Sequence, residues 1–143
     1  MNGMTLIVKT ITRLIIGFIV VFSASIILYG HITPGGGFAG GVMLACAFIL
    51  LVLVFGKKTA LDIIREKTLS VWDCLGAFGF LVIAVIGFSG GFFFKNFIMK
   101  GTPLRLISAG TIMWSNLAIG IKVSACLFAV FVALALFRMD KES

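Results

Sequence analysis

Forty-three consecutive residues, 14 to 56, contain no Asp, Glu, Lys or Arg. A water-soluble fold of this size has too little polar material left to cover such a run. Residues 74 to 94 give another 21 uncharged positions, and residues 106 to 137 are broken only by Lys122. A bilayer crossing takes about 20 apolar residues in a helix, so these stretches hold four crossings. Composition agrees, with 61% hydrophobic and 12% charged residues in a chain of 143, where soluble domains have about 45–50% and about 25%. The chain reads as an all-α integral membrane protein, multi-pass in the cell membrane, with the lipid bilayer as its main solvent. Its domain organisation is a single four-helix transmembrane domain over residues 1–143.

A net charge of +7 raises the question of nucleic acid. The basic residues sit beside the ends of hydrophobic segments, where Lys and Arg anchor and orient helices, and none forms a run interleaved with aromatics. No nucleic-acid partner is expected. The beginning, with Lys9 and Arg13 ahead of Leu14 to Tyr29 and a Ser23-Ala24-Ser25 group, has the layout of a secretory signal peptide, and we read it as a retained first helix.

The segments predict helices over about 10–30, 38–55, 73–94 and 111–137. The first ends at Gly30-His31-Ile32-Thr33-Pro34-Gly35-Gly36-Gly37, where Pro34 lacks an N–H and the glycines open backbone angles closed to other residues. Lys57 to Asp73 reads as a charged loop whose Leu61, Ile63, Ile64 and Leu69 suggest a short amphipathic helix at the membrane surface. A second polar link runs from Lys95 to Arg105, and Leu106 to Gly110 reads as an interfacial or re-entrant approach to the last helix. Four crossings put both termini and the middle loop on one side, with Lys9, Arg13, Lys57, Lys58, Arg65, Lys67, Arg138 and Lys141, against Lys95, Lys100 and Arg105 on the other. The positive-inside bias makes both termini cytoplasmic.

Nothing in this pattern supports catalysis by the chain itself. His31 is the one histidine, and all five acidic residues fall in predicted loops or at helix ends, whereas acid–base chemistry needs positioned titratable partners. No catalytic residue, metal site or cofactor is expected. Cys46, Cys74 and Cys126 are dispersed over three segments without metal-ligand spacing and read as small apolar fillers in helix packing.

Lys122 is the most informative residue. It lies near the middle of the last helix, between Ile119-Gly120-Ile121 and Val123-Ser124-Ala125, where a charge is expensive and marks a functional site by default. At 100° per residue Thr111, Ser115, Ala118 and Lys122 share one face, a partly polar stripe suited to an ion path or a subunit interface. The competing reading is that Lys122 snorkels to an interface or pairs with a neighbouring subunit's carboxylate. Both readings put its partner outside this polypeptide.

Gly36 and Gly40, like Gly37 and Gly41, are spaced four apart at the start of the second helix, and Gly87 and Gly91 late in the third. Small residues at this spacing let helix backbones touch, and no Lys-Ser/Thr follows to make a phosphate loop. His31 beside this segment reads as a structural cap or as a contact on a proton path.

The string Gly30-His31-Ile32-Thr33-Pro34-Gly35-Gly36-Gly37-Phe38-Ala39-Gly40-Gly41, with Gly110-Thr111 and Asn116 to Val123, resembles the MnhB/MrpB family, small membrane subunits of Mrp-type multisubunit sodium/proton antiporters. The resemblance implies a non-catalytic subunit of an ion-translocating complex that moves sodium ions and protons, beside larger antiporter-like membrane subunits. It also implies homologues in redox-driven complexes such as membrane-bound hydrogenases. Lys122 and the His31 to Gly41 turn match the family's motifs. The alternative from another class is a self-contained four-helix structural or assembly protein, or a homo-oligomeric pore.

Overall fold

A computed structural model of the chain describes residues 4–56, 66–88, 91 and 109–140. Among these residues there are four α-helices and no strand: α1 Leu6–Leu28, α2 Gly36–Phe55, α3 Glu66–Phe88 and α4 Thr111–Asp140. Each contains a stretch long and apolar enough to cross a membrane, since 20 residues at 1.5 Å rise give about 30 Å, the thickness of the hydrocarbon core. The protein is a multi-pass, all-helical membrane protein.

Two boundaries depart from the sequence reading for the same reason. α3 starts at Glu66 and not near residue 73, so Asp73 lies two turns inside a helix. Leu69, assigned above to a surface helix, is 8% exposed in an apolar cluster with Phe128 and Val132. A charge does not end a helix whose backbone bonds continue, and in a span the side chain needs only a partner. Residues 57–65 of the expected surface helix, and 106–108 of the expected interfacial approach, lie outside the described residues. At its other end α3 stops at Phe88, and Gly91 sits in a turn at φ +90° with its N–H bonded to the Phe88 carbonyl. Gly87 and Gly91 therefore do not form a shared helix face.

Contacts fix the directions. Gly37 and Gly41 of α2 meet Asn116 and Gly120 of α4 in the same order, so α2 and α4 run parallel. α3 runs antiparallel to α4, with Leu69 against Phe128 and Val132 and Gly76 against Ala118 and Lys122. α1 runs antiparallel to α2: the Arg13 guanidinium lies over the Phe55 ring at 5.3 Å, while Ser23 and Ile27 lie against Gly40. α1 and α2 are joined by a tight turn in which the Tyr29 carbonyl accepts from the Ile32 and Thr33 N–H groups and the Thr33 hydroxyl. Gly35 and Gly36, at φ +125° and +64°, carry the chain into α2 through angles that a side chain would strain.

α4 is the shared element, packed on α2 and on α3, while α1 packs mainly on α2 and reaches α4 where Ile27 meets Gly120. The contacts are made by small residues. A Cβ on Gly37 would run into the Asn116 backbone, one on Gly41 would stand 2.8 Å from the Gly120 carbonyl oxygen, and one on Gly40 would overlap Ile27. The fully buried Ser23 hydroxyl donates to the Gly40 carbonyl at 2.6 Å. Lipid is as apolar as Leu, so close packing and such hydrogen bonds, rather than expulsion of water, hold the helices together. The cysteines do not share in this: Cys46, Cys74 and Cys126 are all exposed on the outside of the bundle, because Gly, Ala and Ser occupy the close contacts.

Gly37→Leu is expected to lower the stability of the detergent-extracted protein by about 1–3 kcal/mol, the usual effect of overpacking, read as a lower melting temperature in size-exclusion thermal scans. Gly17, with no atom within 4 Å of a Cβ built there, is the control, and Gly17→Leu should melt with the parent.

Candidate functional site: an intramembrane ion pair

Lys122 is on α4, eleven residues past Thr111, about 16 Å along the axis. Its Nζ donates to Asp73 Oδ1 of α3 at 2.8 Å. The expectation that the lysine's partner lies outside this polypeptide is therefore wrong. Asp73 is not at a loop end but within α3, in the register that the antiparallel α3–α4 pair sets opposite Lys122. Each charge offsets the bilayer penalty of the other.

Gly76 brings the two helices close enough for this. A Cβ on it would stand 2.8 Å from both the backbone N and the Cβ of Lys122 and 3.0 Å from the Ala118 carbonyl oxygen. Asp73 precedes Gly76 by three residues and so shares its face of α3. Neither Asp73 nor Gly76 stands out as a site residue when hydropathy and glycine spacing are read alone. A signal is nevertheless present: residues 68 to 94 carry one charge, Asp73, just as 106 to 137 carry one, Lys122, and the signs are opposite.

The pair is not sealed. The side chains of Lys122 and Asp73 are 43% and 35% exposed, facing whatever surrounds the bundle. Towards the start of α3 lies the Leu69, Phe128 and Val132 cluster, against which Phe48, Ile49 and Val52 of α2 pack, with Phe48 and Phe128 rings 5.8 Å apart. In the other direction a groove of about 580 Å³ opens between α3 and α4, and among the described residues Lys122 is its one charged wall residue.

The other candidates fall elsewhere. Ala118 and Lys122 of the expected stripe face α3, but the Ser115 hydroxyl donates to the Thr111 carbonyl at 3.1 Å within its own helix, and Thr111 is buried a full two turns before Ala118. His31 is in the α1–α2 turn, partly buried and with Nδ1 shut off from the surface. The adjoining Gly30 lies against the Asn116 side chain, six residues before Lys122 on α4. The structure thus brings together Lys122, Asp73 and Gly76, and sets Gly30, Gly36 and Gly37 around Asn116, with His31 next to Gly30 in the chain. Gly36 itself is 3.7 Å from Asn116 Oδ1 when given a Cβ, ordinary contact.

Four spans, small-residue contacts and a charge pair within the apolar zone define a polytopic membrane protein. The chain belongs to the MnhB family: residues 7–129 match the family described as "Domain related to MnhB subunit of Na+/H+ antiporter". It is 44% identical over 106 residues to an uncharacterized protein of Methanocaldococcus jannaschii, covering 69% of this chain and 40% of that protein. It is 36% identical over 81 residues to a Na(+)/H(+) antiporter subunit of Alkalihalophilus pseudofirmus, covering 57% of this chain and 54% of that one. Among solved structures, a chain of the membrane-bound sulfane sulfur reductase, an archaeal respiratory membrane complex, superposes with a TM-score of 0.77 at 31% identity over 91% of this chain and 57% of that one. The chain thus spans roughly two fifths to three fifths of the length of these relatives.

Removing one charge should harm the protein more than removing both. Asp73→Leu and Lys122→Met are each expected to lower the yield of folded protein in membranes, since each strands the opposite charge in the apolar zone. The double variant should recover most of the yield, as measured by quantitative fluorescence size-exclusion of a tagged chain. Equal losses in the singles and an additive loss in the double would show that the pair is not coupled.

Proposed function

We propose that this protein is a non-catalytic membrane subunit of an Mrp-type sodium/proton antiporter module, and that Lys122 with Asp73 tunes the electrostatics of an ion path where this subunit meets another. The observation that carries the reading is a charge pair held inside the apolar zone yet more than a third exposed at the bundle surface. A pair kept only to join α3 to α4 would be better covered by the helices it joins. Exposed to hydrocarbon, it would be costly, so an adjoining protein surface or a hydrated path is the setting that suits it. Family membership supplies the transport context and gives no support to a self-contained structural protein or homo-oligomeric pore.

The described helices place the start of α1 and the end of α4 on one side. Lys9 and Arg13 lie there, and the sequence joining α2 to α3 carries Lys57, Lys58, Arg65 and Lys67, a basic bias that supports cytoplasmic termini. Two settings suit the same module. Similarity to the antiporter subunit of Alkalihalophilus pseudofirmus favours a stand-alone antiporter; similarity over 91% of the chain to the respiratory complex chain favours a redox-driven one. Native extraction decides between them: iron–sulfur or hydrogenase-type polypeptides in the same particle indicate the redox complex, and antiporter subunits alone indicate the other.

In membrane vesicles holding the assembled complex, Lys122→Met is expected to cut sodium-dependent proton exchange by about tenfold, a change of about 1.4 kcal/mol in the electrostatic terms that set the barrier. Lys122→Arg keeps the charge but cannot release its proton, and should retain much of the exchange. Dye-monitored pH gradients give the readout. Full exchange in an assembled Lys122→Met complex would overturn the reading, and loss in the Arg variant equal to that in Met would replace a fixed charge by a proton-exchanging lysine.

A further inference from the structure

Lys122 offers three N–H donors, and one of them is used by Asp73 among the described residues. With no water in the hydrocarbon, polar groups at this depth need acceptors from protein or from a hydrated path. The groove of about 580 Å³ that begins at Lys122 has apolar walls made by Ala77, Phe80 and Ala84 of α3 and Ile119 of α4. The alanines, with Gly76, keep it wide. It persists because α3 packs along its length on α4, while α2 is turned to α4 and α1 and approaches α3 through the Leu69 cluster at one end. The groove is thus a helix-wide gap with a donor-bearing cation at one end.

We propose that this groove receives a transmembrane helix of a partner subunit, carrying an oxygen acceptor side chain at the depth of Lys122. This rests on the proposed function only in requiring a partner subunit. A lipid acyl chain matches the apolar walls but brings no acceptor to the ammonium, and a headgroup oxygen would have to be drawn about 10 Å into the apolar zone from the start of α3, or about 16 Å from the start of α4, to supply one. A second copy of this chain related by a two-fold axis would set concave groove against concave groove, leaving both unfilled. An apolar helix with one Asp, Glu, Asn, Ser or Thr fills the walls and completes the donor set at once, and small residues on α3 are the usual seat for such a helix.

The test uses the chain expressed with its native partners in their own membranes. Photoreactive benzoylphenylalanine replaces Phe80 or Leu81, both in the groove, or Phe18, 70% exposed on the outer face of α1. Irradiation of the two groove variants is expected to join the chain to one and the same polypeptide, with adducts mapping by mass spectrometry to a single transmembrane segment that has an acceptor within one turn of the contact. The Phe18 probe should not reach that segment. Adding Lys122→Met should reduce the groove adducts about threefold to fivefold, the weight of one interhelical hydrogen bond. Adducts to lipid, to a second copy, or to a segment without an acceptor would overturn the proposal while leaving the subunit reading intact if the complex still copurifies. Absence of any copurifying membrane subunit would overturn both.

Discussion

Backbone contact through glycine is the constraint on which this bundle rests. α4 cannot touch α2 at Asn116 and Gly120 unless residues 37 and 41 lack a Cβ, and it cannot touch α3 at Lys122 unless residue 76 lacks one. Bulkier residues at these points would hold the helices a side chain apart, and in lipid no hydrophobic force would pull them back. The interior is accordingly narrow: among the described large side chains Phe128 is the one almost fully enclosed, and many others, Leu6, Phe18, Val21 and Phe78 among them, are exposed on the outside of the bundle.

The ion pair depends on the same contact. Asp73 meets Lys122 because Gly76, one turn on, lets α3 lie directly on α4. Position and charge are coupled: the glycine sets the distance, and the pair makes it tolerable to keep two charges in a zone that rejects either alone. Neutral as a unit yet open on one side, the pair presents a strong local dipole to the groove, and this makes it an ion-path candidate rather than a simple clasp.

The number of spans is legible in the sequence because the apolar stretches are long and their ends are marked by charge, and the family is legible in the run from Gly30 to Gly41. Lys122 stands out for the same reason, as a single charge in an apolar run. Asp73 escapes, since a carboxylate near the edge of an apolar stretch looks like a boundary when only hydropathy is read. Whether it caps a helix or sits inside one depends on how far the helix runs back, here to Glu66. The cysteines mislead because their size suits packing, whereas each crossing point puts a glycine, with no Cβ at all, against the facing helix. Gly91 misleads because spacing alone does not show where a helix stops.

The separation of Asp73 and Lys122 along the chain, 49 residues, has a consequence for biogenesis. At about 5–20 residues per second the carboxylate is made several seconds before the ammonium that offsets it. During that interval α3 alone would carry an uncompensated charge into the bilayer. Release of α3 and α4 into lipid as one hairpin, after Lys122 has been made, lets each charge enter with its partner.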